Sequence, residues 1–197
     1  METTTIAILT LSAICLVDII APATAREQAL PDHALTIYTG RVTGDHWEET
    51  LVGNVHFADA YMVASAVSRT AKRFFDNALS LELEGQVAKY FGDQRNWELN
   101  LPIVALRWND FPWDKYLDTG FAWGIGPSYA TSEPQVEREI NGSTERWLVY
   151  WFGELTFGLP DRNWALSLRL YHRSDGFDMV ADEGGTNTLA AGIKLHF

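Results

Sequence analysis

From Ala34 to the C-terminus the chain returns repeatedly to one pattern, a large apolar side chain at every second position. A period of two marks β-strands, whose successive side chains point to opposite faces. The last segment is the clearest. Leu189, Ala191, Ile193, Leu195 and Phe197 share one face, and Thr188, Ala190, Gly192, Lys194 and His196 share the other. The same alternation runs through Trp164 to Leu170, Trp147 to Phe157, Phe121 to Tyr129 and Leu79 to Val87. It also runs through Trp97 to Ile103, where Trp97, Leu99, Leu101 and Ile103 face away from Glu98 and Asn100. Two weaker segments, Leu35 to Thr43 and Leu51 to Val67, complete about eight strands.

The composition of the two faces selects the kind of sheet. One face is large and apolar. The other mixes small residues with Glu82, Glu84, Glu98, Glu154, Arg169 and Lys194. A soluble lipocalin-like barrel has the reverse arrangement, apolar inside and polar outside. A soluble β-sandwich also alternates, but here each strand would leave an apolar side in water well beyond what a monomer tolerates. The pattern therefore predicts an all-β fold: an eight-stranded antiparallel transmembrane β-barrel, apolar toward lipid, with opposite charges paired in a narrow lumen. Glu154 with Arg169 or Lys194 is expected to form an interior ion-pair network. A pore is not expected, because eight strands leave an interior that side chains just fill. Of 197 residues, 47% are apolar and 13% aromatic, with eight Trp, which suits aromatic belts at membrane interfaces.

The one long apolar block is at the start, Ile6 to Ile20, interrupted by Asp18 and followed by Pro22 and Ala23-Thr24-Ala25. This reads as a secretory signal peptide over residues 1–25, cut before Arg26, with residues 26–197 as the barrel. The leading METTT has no basic residue, so a buried N-terminal helix or an uncleaved anchor is the alternative. Cys15, the single cysteine, follows Ile14 rather than a small residue, which argues against a lipid anchor. The mature chain then has no thiol and no disulfide, as suits export into an oxidising compartment. No later stretch reaches the ~20 apolar residues of a transmembrane helix. A net charge of −11 without basic clusters argues against nucleic acid as a partner.

With the N-terminus periplasmic, Ser132 to Ser143 and Asp175 to Thr186 become outer loops, and Leu159 to Arg162 a periplasmic turn. The connection near Gly92 is short for an outer loop, and Asn109 to Tyr116 is long for an inner one. His33, His46, His56 and His196 are scattered without metal spacing and are expected in loops or the lumen, so no metal or other cofactor is expected.

One constellation points to chemistry. His172-Arg173-Ser174-Asp175-Gly176 ends the penultimate strand, and Gly184-Gly185-Thr186-Asn187-Thr188 opens the last. His172 and Ser174 continue the apolar face of Trp164, Leu166, Leu168 and Leu170. Asn187 continues that of Leu189, Ala191 and Ile193. All three therefore project outward near the extracellular end of one hairpin, where unpaired polar groups are costly. As interfacial polar residues at a strand end they would need no further role.

This C-terminal quarter resembles the PagL-like lipid A 3-O-deacylase family, also called acyloxyacyl hydrolases. Asp175 stands where that family usually has Asn, and the segments Arg107 to Trp113 and Glu154 to Phe157 look like features of a divergent branch. The resemblance implies an outer-membrane esterase of a Gram-negative cell envelope that removes an ester-linked acyl chain from lipid A in lipopolysaccharide. In that reading Ser174 is the nucleophile, His172 the general base and Asn187 the residue orienting the imidazole. Backbone N–H groups around Asp175 and Gly176 would stabilise the oxyanion. A non-catalytic barrel, a scaffold or an adhesin-like protein, is the rival. Outer-membrane lipids are the expected surroundings, and a homodimer is left open.

Overall fold

The computed structural model describes residues 31–44, 55–176 and 184–197. The proposed signal peptide and the start of the second strand at Leu51 lie outside these residues. The described chain forms β1 (His33–Thr43), β2 (Phe57–Phe74), β3 (Leu79–Gly92), β4 (Trp97–Trp108) and β5 (Asp118–Ala130). A short helix α1 (Gln135–Asn141) precedes β6 (Trp147–Gly158), β7 (Trp164–Ser174) and β8 (Gly185–His196). Each strand pairs antiparallel with the next, and β8 returns to β1, closing an eight-stranded barrel. Closure leaves no edge strand with unpaired backbone groups, the condition for crossing a bilayer with strands. The connections 93–96 and 131–146 lie at one end, the first short and the second long, with those between β1 and β2 and between β7 and β8. At the other end lie the connections 75–78, 109–117 and 159–163, together with His33 and Phe197, whose rings stack with centroids 5.9 Å apart.

The outward face carries Val63, Leu83, Leu99, Leu106, Trp123, Leu155, Leu166 and Ile193, all exposed. The lumen takes the small and charged face. A Cβ added to Gly124 would sit 2.5 Å from the Phe152 ring, so the interior is filled to the level of single carbons. Its centre is an ion-pair cluster around Glu154, which is fully buried. Arg107 Nη2 and Lys194 Nζ reach Glu154 Oε1 at 2.7 and 3.1 Å, and Arg169 Nη2 reaches Oε2 at 2.6 Å. The Tyr38 hydroxyl donates to Oε2 at 2.5 Å. Arg107 also pairs with Glu82 at 2.8 Å, and Arg169 with Glu84 at 2.6 Å. The guanidinium of Arg169 lies 3.7 Å from the Phe152 ring centroid. The expected network is present, and it also takes in Arg107, Glu82 and Glu84.

Two strands depart from the sequence expectation. Ile103, expected on the outward face with Trp97, Leu99 and Leu101, points into the lumen and is fully buried. Leu101 and Pro102 both face outward where the β4–β5 register shifts, so one extra residue reverses the parity of everything after it. Val104, Leu106 and Trp108 then face out, and Arg107 faces in. Strand β2 runs on to Phe74 rather than stopping at Val67, passing a register shift between Thr70 and Lys72. There the alternation dissolves, which is why the pattern stops short. His33, expected in a loop or the lumen, instead heads β1 against Phe197.

The long connection 109–117 folds on itself. Asp114 Oδ2 accepts the Phe111 N–H at 2.7 Å and Oδ1 accepts the Thr119 N–H at 3.0 Å. Trp113 Nε1 donates to Thr119 Oγ1 at 2.9 Å. Asp114→Ala orphans two backbone donors and is expected to cost about 1–3 kcal/mol. A lower urea midpoint of the barrel refolded in vesicles, with an unchanged slope, is the expected reading.

The segment 132–143, expected as a plain outer loop, contains α1. Pro134 stands just before the helix, and Gly142, at φ 83°, ends it by donating its N–H to Arg138 O. Seven residues are too few for helical periodicity to be legible.

Candidate active site

The pairing of β6, β7, β8 and β1 sets Trp151 opposite His172, His172 opposite Asn187, and Asn187 opposite Thr43. Trp151, His172 and Asn187 project outward, because Tyr150, Tyr171, Arg173 and Thr188, which alternate with them, fill the lumen side. His172 Nδ1 and Asn187 Oδ1 are 2.6 Å apart. An amide oxygen only accepts, so Nδ1 carries a proton, and in the neutral form of the ring the lone pair is on Nε2. The Trp151 indole packs at a tilt on the other side, with ring centroids 4.6 Å apart and planes inclined by 38°. The imidazole is thus fixed between a polar partner and an apolar wall. Asn187 is only 3% exposed although it faces out, so its neighbours shelter this bond.

Ser174 lies two residues beyond His172 on the same face and opposite Gly185. Its Oγ accepts the Gly176 N–H at 3.4 Å. Gly176 has φ 71°, the left-handed conformation that turns the chain out of β7 and directs this N–H back. Asp175 stands between the two. The structure thus joins His172 to Asn187, and Ser174 to Gly176 two residues further along the same strand face. Asp182 and Glu183, two of the acidic residues of the β7–β8 connection, lie outside the described residues.

Below His172, toward the barrel waist, Gly153 faces outward opposite Leu170 on one side and Trp123 on the other. A Cβ there would meet nothing within 4 Å. Leu170 is 8% exposed, whereas Leu168 on the same face is 43% exposed. The lipid-facing surface therefore has a recess next to the His172–Asn187 pair.

On the lumen side the hairpin is held by a second polar cluster. Glu137 of α1 is fully buried, and both its oxygens accept from Arg173 Nη1, at 2.7 and 2.9 Å. Thr144 Oγ1 donates to it at 2.8 Å and Thr186 Oγ1 at 3.3 Å. Burial at the barrel mouth pushes the Glu137 carboxyl above its ordinary range, against the pull of Arg173. Arg173 Nε also donates to Ser128 Oγ at 2.9 Å and lies 3.7 Å from Glu98 Oε2. Sequence alone singles out neither Trp151 nor Glu137. Trp151 was legible as outward-facing, but its neighbour was not. Glu137 is one of several acids in a loop, and nothing in its spacing marks it. Among the described residues no group of three His, Cys, Asp or Glu is arranged to hold a metal ion.

No family model and no curated protein matches the sequence. Solved structures do match by shape. An outer membrane enzyme, PagL, superposes with a TM-score of 0.57 at 9% identity, over 82% of this chain and 98% of that one. Neisserial surface protein A, NspA, superposes with a TM-score of 0.51 at 8% identity, over 86% of this chain and all of that one. At such identities the likeness carries the fold alone: this chain is an eight-stranded antiparallel β-barrel built like that outer membrane enzyme and that surface protein.

Proposed function

We propose that this protein is an outer-membrane esterase that removes an ester-linked acyl chain from lipid A. The observation that carries this reading is the outward-facing His172–Asn187 pair, 2.6 Å apart, with Ser174 two residues along the same face. In this reading residues 1–25 are removed on export. The longer connections face outside the cell, so the site sits at the height of the outer leaflet. The acyl chain then enters sideways from the leaflet, with the recess at Gly153 and Leu170 beside it.

Ser174 Oγ attacks the ester carbonyl carbon while His172 Nε2 takes its proton. Collapse of the tetrahedral intermediate breaks the bond to the alcohol oxygen of the sugar, which takes that proton from His172. Water, deprotonated by the same nitrogen, then attacks the acyl-serine carbonyl; the Ser174 Oγ–acyl bond breaks, Oγ takes that proton back from His172, and the fatty acid leaves. Asn187 acts through His172, holding the tautomer whose proton is on Nδ1 and whose lone pair is on Nε2. The Gly176 N–H is the candidate oxyanion donor. No metal or organic cofactor enters the scheme.

One observation favours the second reading, a non-catalytic scaffold or adhesin-like barrel. Asp175 directly follows Ser174, and its carboxylate there opposes a developing oxyanion unless it turns away. Mass spectrometry of lipid A from cells expressing wild type or Ser174→Ala separates the two. Loss of one acyl chain with wild type only is the expected result. Identical lipid A from both, with surface folding confirmed by heat-modifiable migration, leaves the scaffold.

A further inference from the structure

The three residues of the candidate site alternate along the hairpin with residues held from inside the barrel. Arg173 lies between His172 and Ser174 in the chain, Thr186 directly precedes Asn187, and Gly185 pairs with Ser174. The α1 connection grips each of these. Glu137 takes both oxygens to Arg173 and one to Thr186. Asn141 Nδ2 donates to Gly185 O at 2.8 Å and to Glu137 O at 2.8 Å. Arg173 Nη2 returns two bonds to the far side of the same loop, at Glu145 O and Arg146 O. The loop between β5 and β6 thus ties both strands of the β7–β8 hairpin, at positions adjacent to all three site residues. A fully buried carboxylate is a costly way to fasten a loop that exposed contacts could hold. What it achieves here is a fixed relation between two strand ends whose outer faces must stay in register.

We infer that Glu137 and Asn141 are positioning residues, through which the β5–β6 loop sets the placement of Ser174 relative to His172 and Asn187. This rests on the esterase reading and extends it to a part of the chain that never meets the acyl chain. Geometric control of this kind acts on the chemical step. A displacement of about 1 Å between reacting groups can cost on the order of a hundredfold in rate while substrate binding is little changed.

The test uses the exported form, residues 26–197, refolded in detergent, with p-nitrophenyl myristate in micelles as the probe. Glu137→Ala is expected to keep heat-modifiable migration, lower kcat about tenfold or more, and leave KM within about twofold. Glu137→Gln keeps one acceptor for Arg173 and should recover part of the loss. Asn141→Ala removes only the bonds to Gly185 and Glu137 O, and is expected to lower kcat at least about threefold. It also carries the test should Glu137→Ala fail to fold. Asp114→Ala loosens the opposite end of the barrel and should leave kcat unchanged.

Unchanged kcat in folded Asn141→Ala or Glu137→Ala overturns the positioning role while the esterase reading stands. So does an equal fall in Asp114→Ala, which would mark general loosening. A wild-type protein that cleaves no ester overturns the esterase reading and this inference with it.

Discussion

Glu154→Ala is expected to leave the barrel unable to hold its fold through a urea range in which wild type is intact. The side chain removed is one acceptor shared by three cations. Arg107, Arg169 and Lys194 all reach it within 3.1 Å, and all are almost fully buried. Removing one partner of a buried ion pair costs about 3–5 kcal/mol, because the remaining charge is stranded away from water. Arg107 keeps Glu82 and Arg169 keeps Glu84, but Lys194 is left with Glu82 at 3.9 Å. The Tyr38 hydroxyl loses its acceptor as well. Against a total stability of about 5–15 kcal/mol, this is a large share. Tryptophan fluorescence of the vesicle-refolded protein against urea reads it as a collapse of the midpoint. A midpoint matching wild type would show that the network is not what holds the lumen together.

The second large effect falls on activity. His172→Ala is expected to lower kcat on p-nitrophenyl myristate by about 10³-fold or more, a barrier increase of roughly 4 kcal/mol, because the nucleophile loses its base. The barrel itself should survive. His172 is on the outward face and touches Trp151 and Asn187. The structural cost is an Asn187 oxygen left without this partner, about 1–3 kcal/mol. Activity and folding are therefore expected to separate. Heat-modifiable migration should persist while hydrolysis disappears, the opposite of the Glu154→Ala outcome. Wild-type turnover in folded His172→Ala would remove His172 from the chemistry altogether.

These two residues also mark how the chain encodes its fold. Glu154 sits on the small, charged face of its strand, and His172 continues a lipid-facing row. Both orientations follow from counting in twos along the sequence. Alternation is a backbone property, set by the pleat of an extended chain, and needs no knowledge of neighbours. That is why the strands, their two faces and the outward direction of His172, Ser174 and Asn187 were legible. Where the count itself is interrupted, legibility ends. The extra residue at Leu101–Pro102 turned Ile103 inward, and no composition signal gives the parity beyond such a bulge.

By itself, then, the sequence determined a two-faced, all-antiparallel chain with its candidate chemistry on the lipid side of the last hairpin. The tertiary structure decided which strands' residues meet. It brought Trp151 against His172, gathered Arg107, Arg169 and Lys194 on one carboxylate, and carried Glu137 from a distant loop onto Arg173. The reason is register. Each side chain's face is fixed by its own strand, but its partner is fixed by how far that strand slides against the next. The slide is settled only when the whole ring closes and its charges pair.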